Sequence, residues 1–211
     1  MLVKNIFRKE IKEILLEHMV NGKITPGVRI SLPQIAKELE VSVTPIREAL
    51  TQLSEIGIVN YIPNRGFFVT EFSENEAVEL FETIALLESE AIKKSEFTKQ
   101  QLEELNSINE RFKTSNHSLH KLQMDMKFHQ KLIENYPNTF LKKIIEDIRI
   151  RIFIYEHQFM SHQPINSSAK MHADMIDALK NGNSKQAIQL LHKNWMITID
   201  TIIKTYNSKA P

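Results

Sequence analysis

Ser42-Val43-Thr44-Pro45-Ile46-Arg47-Glu48-Ala49-Leu50-Thr51-Gln52-Leu53 is the stretch on which the fold turns. It reads as a short helix with a marked beginning. Thr44 is placed to cap it, and Pro45 falls at the first helical position, where a missing N–H costs nothing. Gly57 lies just past its end, free to take the left-handed conformation that stops a helix. Ile46, Ala49, Leu50 and Leu53 recur at i, i+3, i+4 and i+7, one apolar stripe. Packing that stripe inward leaves Thr44, Arg47, Glu48 and Thr51 facing out. A hydroxyl and a guanidinium at the exposed start of a helix suit a DNA groove, because both bond phosphate oxygens and Arg forks onto guanine.

The flanks extend this reading. Upstream, residues 4–20 form an amphipathic helix with Ile6, Phe7, Ile11, Ile14, Leu15 and Met19 near one face, ended by Asn21-Gly22. A turn through Thr25-Pro26-Gly27 leads to a short extended piece ending near Arg29. Ser31-Leu32-Pro33-Gln34 has the capping-box pattern and opens a second helix, Gln34 to Leu39. Glu40-Val41-Ser42 is the turn into the third. Two short helices joined by a tight turn make a helix-turn-helix. Downstream, Ile58 to Ile62 and Phe67 to Thr70 are β-rich and separated by Pro63-Asn64-Arg65-Gly66, a hairpin with Arg65 at its tip. The sum is a winged helix. A module of this kind that binds only protein is the alternative, but Arg47 and Arg65 come from the two elements a winged helix presents to DNA.

These residues carry a resemblance. Gly22, Pro26-Gly27, Arg29, Ile35-Ala36, Leu39, Val41-Ser42, Thr44-Pro45, Arg47-Glu48-Ala49-Leu50, Leu53, Gly57, Pro63, Arg65-Gly66 and Val69 resemble the DNA-binding domain of the GntR family of bacterial transcription regulators. The resemblance implies DNA contacts from Arg29, Ser42, Val43, Thr44, Arg47, Arg65 and Gly66. One position departs from the pattern. The family's VSRTP motif usually has Arg after Ser, commonly reading a base, and here that position is Val43. Valine donates no hydrogen bond, although its methyls can meet a thymine methyl.

Composition bounds the rest. The 211 residues accommodate one large domain or two small ones, and 42% are apolar, as in a globular protein with a sizeable core. There is no cysteine, which excludes disulfides and thiolate metal sites. No apolar run approaches the ~20 residues of a membrane span, and Met1 to Lys12 lacks a signal-peptide core, so a cytoplasmic protein is expected. Residues 1–70 carry nine Lys and Arg against seven Glu, and the remainder eighteen against nineteen acids. Neither half is strongly basic, so nucleic-acid binding has to rest on local placement of cations.

A boundary is expected near Thr70 to Ser73, giving a winged-helix domain over 1–71 and a second domain over 72–211. Ser73 and Glu76 form another capping box, with Phe72 and Ala77 as a staple. Beyond it the pattern is helical throughout, with approximate spans 74–95, 99–115, 118–135, 138–159, 166–181 and 184–206, and with Thr98 and Gln101 capping the second. The fold class is therefore mainly α: three helices and a hairpin wing, followed by an all-α bundle.

Polar groups interrupt this bundle's apolar faces. Leu122, Met126, His129 and Ile133 form a stripe with Asp125 beside it, one turn from His129. His172 lies in line with Met175, Ile176 and Leu179. Buried polar groups must be satisfied. Either Asp125 and His129 pair while His172 bonds a carbonyl, or the three converge on a divalent ion such as Zn²⁺, Ni²⁺ or Mn²⁺. His18, His117, His120, His157 and His162 are read as solvated or locally satisfied, and His192 as a rim residue.

The second half also resembles the all-helical FCD effector domain of the FadR-like branch of the same family. The carriers are Glu79-Leu80, Leu87-Glu88, Ala91, Asp125, Phe128-His129, Asn138, His172, Ile176, Ala178-Leu179, Gly182, Ala187 and Leu191. That resemblance implies a homodimer and a small effector, commonly a carboxylic acid, beside a divalent metal held by Asp125, His129, His172 and the position of Asn194. The family has His where this chain has Asn194, a weaker ligand, and often Arg where this chain has Ile84. An effector carboxylate is then expected to lean on the metal or on Arg149 or Arg151, with Trp195 as a possible lining residue. The implied function is a DNA-binding regulator, expected to be a repressor of an inverted-repeat operator in double-stranded DNA, modulated by its effector. A metal-dependent hydrolase on the bundle is the rival from another class, and no motif such as H-E-x-x-H supports it.

Overall fold

A computed structural model describes residues 2–71, 73–160 and 166–209. His162 and the Phe72 half of the expected staple lie outside the described residues, as do the side chains of Ile6 and Phe7. The chain divides into two compact units, Met1–Phe72 and Ser73–Pro211.

The first unit runs α1 (Leu2–Val20), α2 (Leu32–Glu38), α3 (Val43–Glu55), β1 (Val59–Ile62) and β2 (Gly66–Val69). The stripe Ile46, Ala49, Leu50 and Leu53 is fully buried, with α1 and α2 both packed on α3. Truncating such a leucine to alanine costs ~2–5 kcal/mol, so this stripe alone fixes how α3 lies. Gly57 takes φ +75° and ends the helix as expected.

The helix starts differ from the reading. Ser42, not Thr44, is the N-cap of α3, and no side chain caps it. Pro45 therefore sits within the first turn rather than at its first position, which is tolerated because the first four N–H groups have no helical partner. Likewise α2 begins at Leu32, and the Ser31 side chain makes no capping bond. The antiparallel register pairs Val59 with Val69 and Ile62 with Gly66. The extended piece before α2 joins this hairpin through an isolated bridge between Arg29 and Phe68 and a bond from the Ile30 N–H to the Phe67 carbonyl at 2.8 Å.

The second unit contains α4 (Glu74–Lys94), α5 (Lys99–Thr114), α6 (Ser118–Leu132), α7 (Thr139–Met160), α8 (Asn166–Lys180) and α9 (Ser184–Lys209). Here the expected caps form. Ser73 Oγ accepts from the Glu76 N–H at 3.2 Å, and Thr98 Oγ1 from the Gln101 N–H at 3.1 Å. Helix α4 packs on α7 and α9, and α5 packs on α6 and α8, while α6–α7 and α8–α9 contacts join the two groups. Phe81, Ile84, Ile92, Leu105, Phe112, Phe128 and Tyr155 are among the large side chains wholly enclosed between them. Among the described residues no helix is long and apolar enough to cross a membrane.

Candidate functional site

On the first unit, the start of α3 and the hairpin enclose a cleft of about 550 Å³ whose lining includes Arg29, Ser31, Val43, Arg47, Tyr61 and Asn64. Ser42, Thr44 and Arg47 are exposed and Val43 is half-buried. Arg65 is exposed at the tip, with its guanidinium 5.5 Å from the Phe68 ring centroid, a cation–π contact that orients the side chain. Gly66 has φ +98°, and a Cβ there would meet Arg29 Nε at 3.5 Å. The turn thus requires glycine for its backbone rather than for space, since that distance is an ordinary contact. Tyr61 was missed. It follows exposed Asn60 on β1 and stands exposed in the cleft.

The bundle holds the second candidate site. One ligand atom each from Asp125, His129 and His172 lies within 4.8 Å of the others, all three residues being buried. Asp125 occupies the middle of the buried stripe of α6, between Leu122 and Phe128, while Met126 falls at its edge. This displaces the stripe from the one expected.

The hydrogen bonds around the cluster assign the ring orientations. His129 Nδ1 lies 2.8 Å from Glu88 Oε2. Burial pushes the Glu88 carboxyl up, but His129 and Arg149 outweigh that and hold it at about 2. Glu88 is therefore an anionic acceptor, and Nδ1 of His129 carries the proton. His172 Nδ1 lies 3.2 Å from Asn109 Oδ1, and Asn109 turns its amide nitrogen to the Ala169 carbonyl. His172 Nδ1 is thus also a donor. Burial, then the proximity of His129, pushes the His172 pKa well below its usual value and keeps that ring neutral.

Both rings consequently turn Nε2 toward Asp125, at 3.7 Å and 3.4 Å from its two oxygens. Neither approach is a hydrogen bond: His129 Nε2, His172 Nε2 and Asp125 Oδ1 are buried without partners. Lone pairs facing a carboxylate in a dry interior are unfavourable unless a cation lies among them. Rings oriented through their second nitrogen by a carboxylate and an amide are the usual support of a metal ligand. Asn194 is 1% exposed and its Oδ1 is also buried and unpartnered, a fourth oxygen donor in kind. This donor set fits a divalent ion.

Arg149 forks onto Glu88, with Nε at 3.1 Å from Oε1, and also donates to the His129 carbonyl, leaving Nη1 buried and unpaired. Trp195 is 2% exposed and packed in the core. Its indole N–H donates to Glu88 Oε2 at 3.0 Å and its ring lies 4.3 Å from that of His129. Arg151 does not join this group. Two residues along a helix turn the side chain by about 200°, and Arg151 instead pairs with Glu76. His192 is exposed, as read. Glu88, Asn109 and Glu156 are the residues whose part was missed. Each is a buried polar residue on a mainly apolar stripe, the same signal that singled out His172.

Residues 7–69 match the model for bacterial regulatory proteins of the gntR family, and residues 79–194 match the FCD domain. The chain is 25% identical over 198 residues to the HTH-type transcriptional regulator YdhC of Bacillus subtilis, covering 89% of this chain and 86% of that one. It is 33% identical over 137 residues to the Nta operon transcriptional regulator of Aminobacter aminovorans, covering 63% of this chain and 65% of that one. Escherichia coli McbR/YncC shares the fold with a TM-score of 0.83 at 20% identity, over 95% of this chain and 98% of that structure.

Proposed function

The chain belongs to the gntR family of bacterial transcription regulators, in the branch with an FCD effector-binding domain, and on that premise we propose how it works. It is a cytoplasmic homodimeric repressor that binds an inverted-repeat operator in double-stranded DNA through Arg29, Ser42, Val43, Thr44, Arg47, Arg65 and Gly66. Arg47 reads a base from the major groove. Val43 contributes apolar contact in place of a donor, so its position favours a thymine methyl. Arg65 reaches phosphate or minor groove from the wing. Arg29 and Gly66 hold the wing root beside the groove-facing helix.

In the second unit, Asp125, His129 and His172 hold one divalent ion, with Asn194 as a weak fourth ligand. When bound, the ion supplies open positions for an effector's oxygens. Arg149 and Trp195 face the same interior and hold Glu88, which in turn orients His129. Effector binding favours one of two arrangements of the bundle and so changes the fit of the paired winged helices to their half-sites, a population shift. The observation that carries the sensing half of this reading is the unbonded meeting of His129 Nε2, His172 Nε2 and Asp125 Oδ1 in a sealed interior. The hydrolase alternative has no support in the family matches.

Gel-shift titration against the DNA upstream of the protein's own gene tests the reading, with and without Mn²⁺ or Zn²⁺. Specific retention that sequence-scrambled DNA does not compete away is expected. Equal affinity for any duplex at fixed salt would overturn it.

A further inference from the structure

Resting on the DNA-binding reading above, we infer that Tyr61 is a further DNA contact, its phenol donating to a backbone phosphate seated between the start of α3 and the wing. Val59 and Tyr61 share one face of β1, because side chains alternate along a strand. Val59 is 1% exposed and belongs to the core, whereas Tyr61, two residues further on, is 53% exposed. The core ends between them, and Tyr61 carries the same face out into the corner beside α3. Its ring is held there. Phe67 is its cross-strand partner and is itself buried, and the two ring centroids lie 4.9 Å apart at an interplanar angle of 47°. No hydrogen bond joins the Tyr61 hydroxyl to any described residue.

The surroundings of Tyr61 select its partner. The cleft of about 550 Å³ has Arg29, Ser31, Arg47, Tyr61 and Asn64 as its polar side chains, and no carboxylate among its lining residues. Each of the five carries a hydrogen-bond donor, and two are permanent cations. All five are exposed, and none is bonded or ion-paired through its side chain to a described residue. A concave, acid-free wall of unspent donors is complementary to a phosphate group. A second cleft, of about 380 Å³, is lined by Arg47, Thr51, Ser54, Glu55, Tyr61 and Phe67. Glu55 makes that side unfavourable to an anion, so the phosphate belongs in the first. The two clefts share Arg47, Tyr61 and Phe67, which therefore form the partition between them. A strand whose base meets Arg47 carries its backbone past the neighbouring Tyr61. A phenol already clamped by Phe67 in the free protein loses little rotamer freedom on binding, so its bond to phosphate is gained at small entropic cost.

The test is a gel-shift titration of the full chain at fixed salt against the duplex it retains from the DNA upstream of its own gene and against a scrambled duplex. In each, single phosphates are replaced in turn by neutral methylphosphonate. Tyr61→Phe keeps the ring on Phe67 and removes only the hydroxyl, and an unchanged melting temperature reports the fold. It should bind both duplexes about tenfold more weakly per half-site, the scale of one hydrogen bond to a charged acceptor. Its salt slope should match the parent's, because the phenol is uncharged, whereas Arg29→Ala should lower the slope by about 1. At one phosphate in each half-site, methylphosphonate should cost the parent about tenfold more than it costs Y61F, which couples the hydroxyl to that phosphate. If Y61F binds as the parent does, the inference is overturned while the parent's specific retention still upholds the DNA reading. A loss confined to the specific duplex would overturn it by making Tyr61 a base reader. A loss coupled to no phosphate would overturn it by making the hydroxyl a support within the protein. A parent that retains no duplex in preference to the scrambled one fails the DNA reading and the inference together.

Discussion

Glu88 takes bonds from His129, Arg149 and Trp195, so one carboxylate orients the His129 ring, neutralises a buried guanidinium and satisfies an indole. Its carboxyl is held at about 2 against a usual 4.5. A depressed carboxyl contributes stability that is present above its unfolded value and lost as pH falls through the folded one. The second unit should therefore lose on the order of 3 kcal/mol between pH 4.5 and 2. Glu88→Ala leaves Arg149 buried and unpaired and should cost ~3–5 kcal/mol in urea unfolding at neutral pH. A variant within ~1 kcal/mol of the parent would mean that water reaches the pair. Asn194→His replaces an amide oxygen by imidazole, the better ligand for Zn²⁺ or Ni²⁺. It should raise the metal-induced shift in melting temperature, with each tenfold in affinity worth ~1.4 kcal/mol at saturating ion. An unchanged shift would place residue 194 outside the coordination sphere. At this scale the sequence was readable wherever a polar residue interrupts an apolar stripe, as with Asp125, His129 and His172. The same rule reaches Glu88, Asn109 and Glu156, but spacing says nothing of which partner on another helix each one meets. Arg149 and Arg151 looked equivalent until the helix phase separated them.

At the scale of elements, stripes and glycine stops were legible because they depend on neighbours a few residues away. Caps were less so. Ser73 and Thr98 cap as their patterns say, while Ser31 and Thr44 do not, because tertiary packing of α2 and α3 sets where each helix begins. The proposed recognition surface is nonetheless built from α3 and the hairpin together. Arg47→Ala should weaken specific binding by ~1–3 kcal/mol and relax sequence preference. Arg65→Ala should weaken binding to all sequences and reduce the salt slope by about 1. If both variants bind like the parent, another face meets DNA. Helix α7 joins two regions of the bundle. While Arg149 and Glu156 face its interior, the Tyr155 hydroxyl donates to Glu76 Oε2 at 2.7 Å and accepts from the Ser73 N–H at 3.1 Å. Ser73 is the first residue of the second unit. Tyr155→Phe removes both bonds at a cost of ~1–3 kcal/mol. It should speed amide hydrogen exchange at Ser73 to Glu76 more than at the core of α4. Uniform protection would show that the cap alone holds this start.

At the scale of the whole molecule, the proposed function calls for two copies acting together. A two-fold dimer presents two recognition helices to an operator of matching symmetry, with half-sites about a helical turn apart or less. The second unit has apolar surface suited to joining them. Phe140 is 82% exposed and Ile144 52%, one turn apart on α7, and Leu86 is 65% exposed on α4, which packs against α7. Phe and Ile standing in water at i and i+4 form an exposed apolar patch, which burial against another surface would stabilise. A second copy would do so isologously. Sedimentation should therefore report a dimer at micromolar concentration. The double change Phe140→Glu and Ile144→Glu sets like charges against each other across the axis and should give a folded monomer, judged by unchanged far-ultraviolet circular dichroism. Losing the dimer should weaken binding to a full inverted repeat far more than binding to an isolated half-site, because the second winged helix no longer arrives tethered to the first. A variant that remains dimeric would move the interface to another face of the bundle. One that becomes monomeric yet binds the full repeat as tightly as the parent would remove the requirement for two linked subunits.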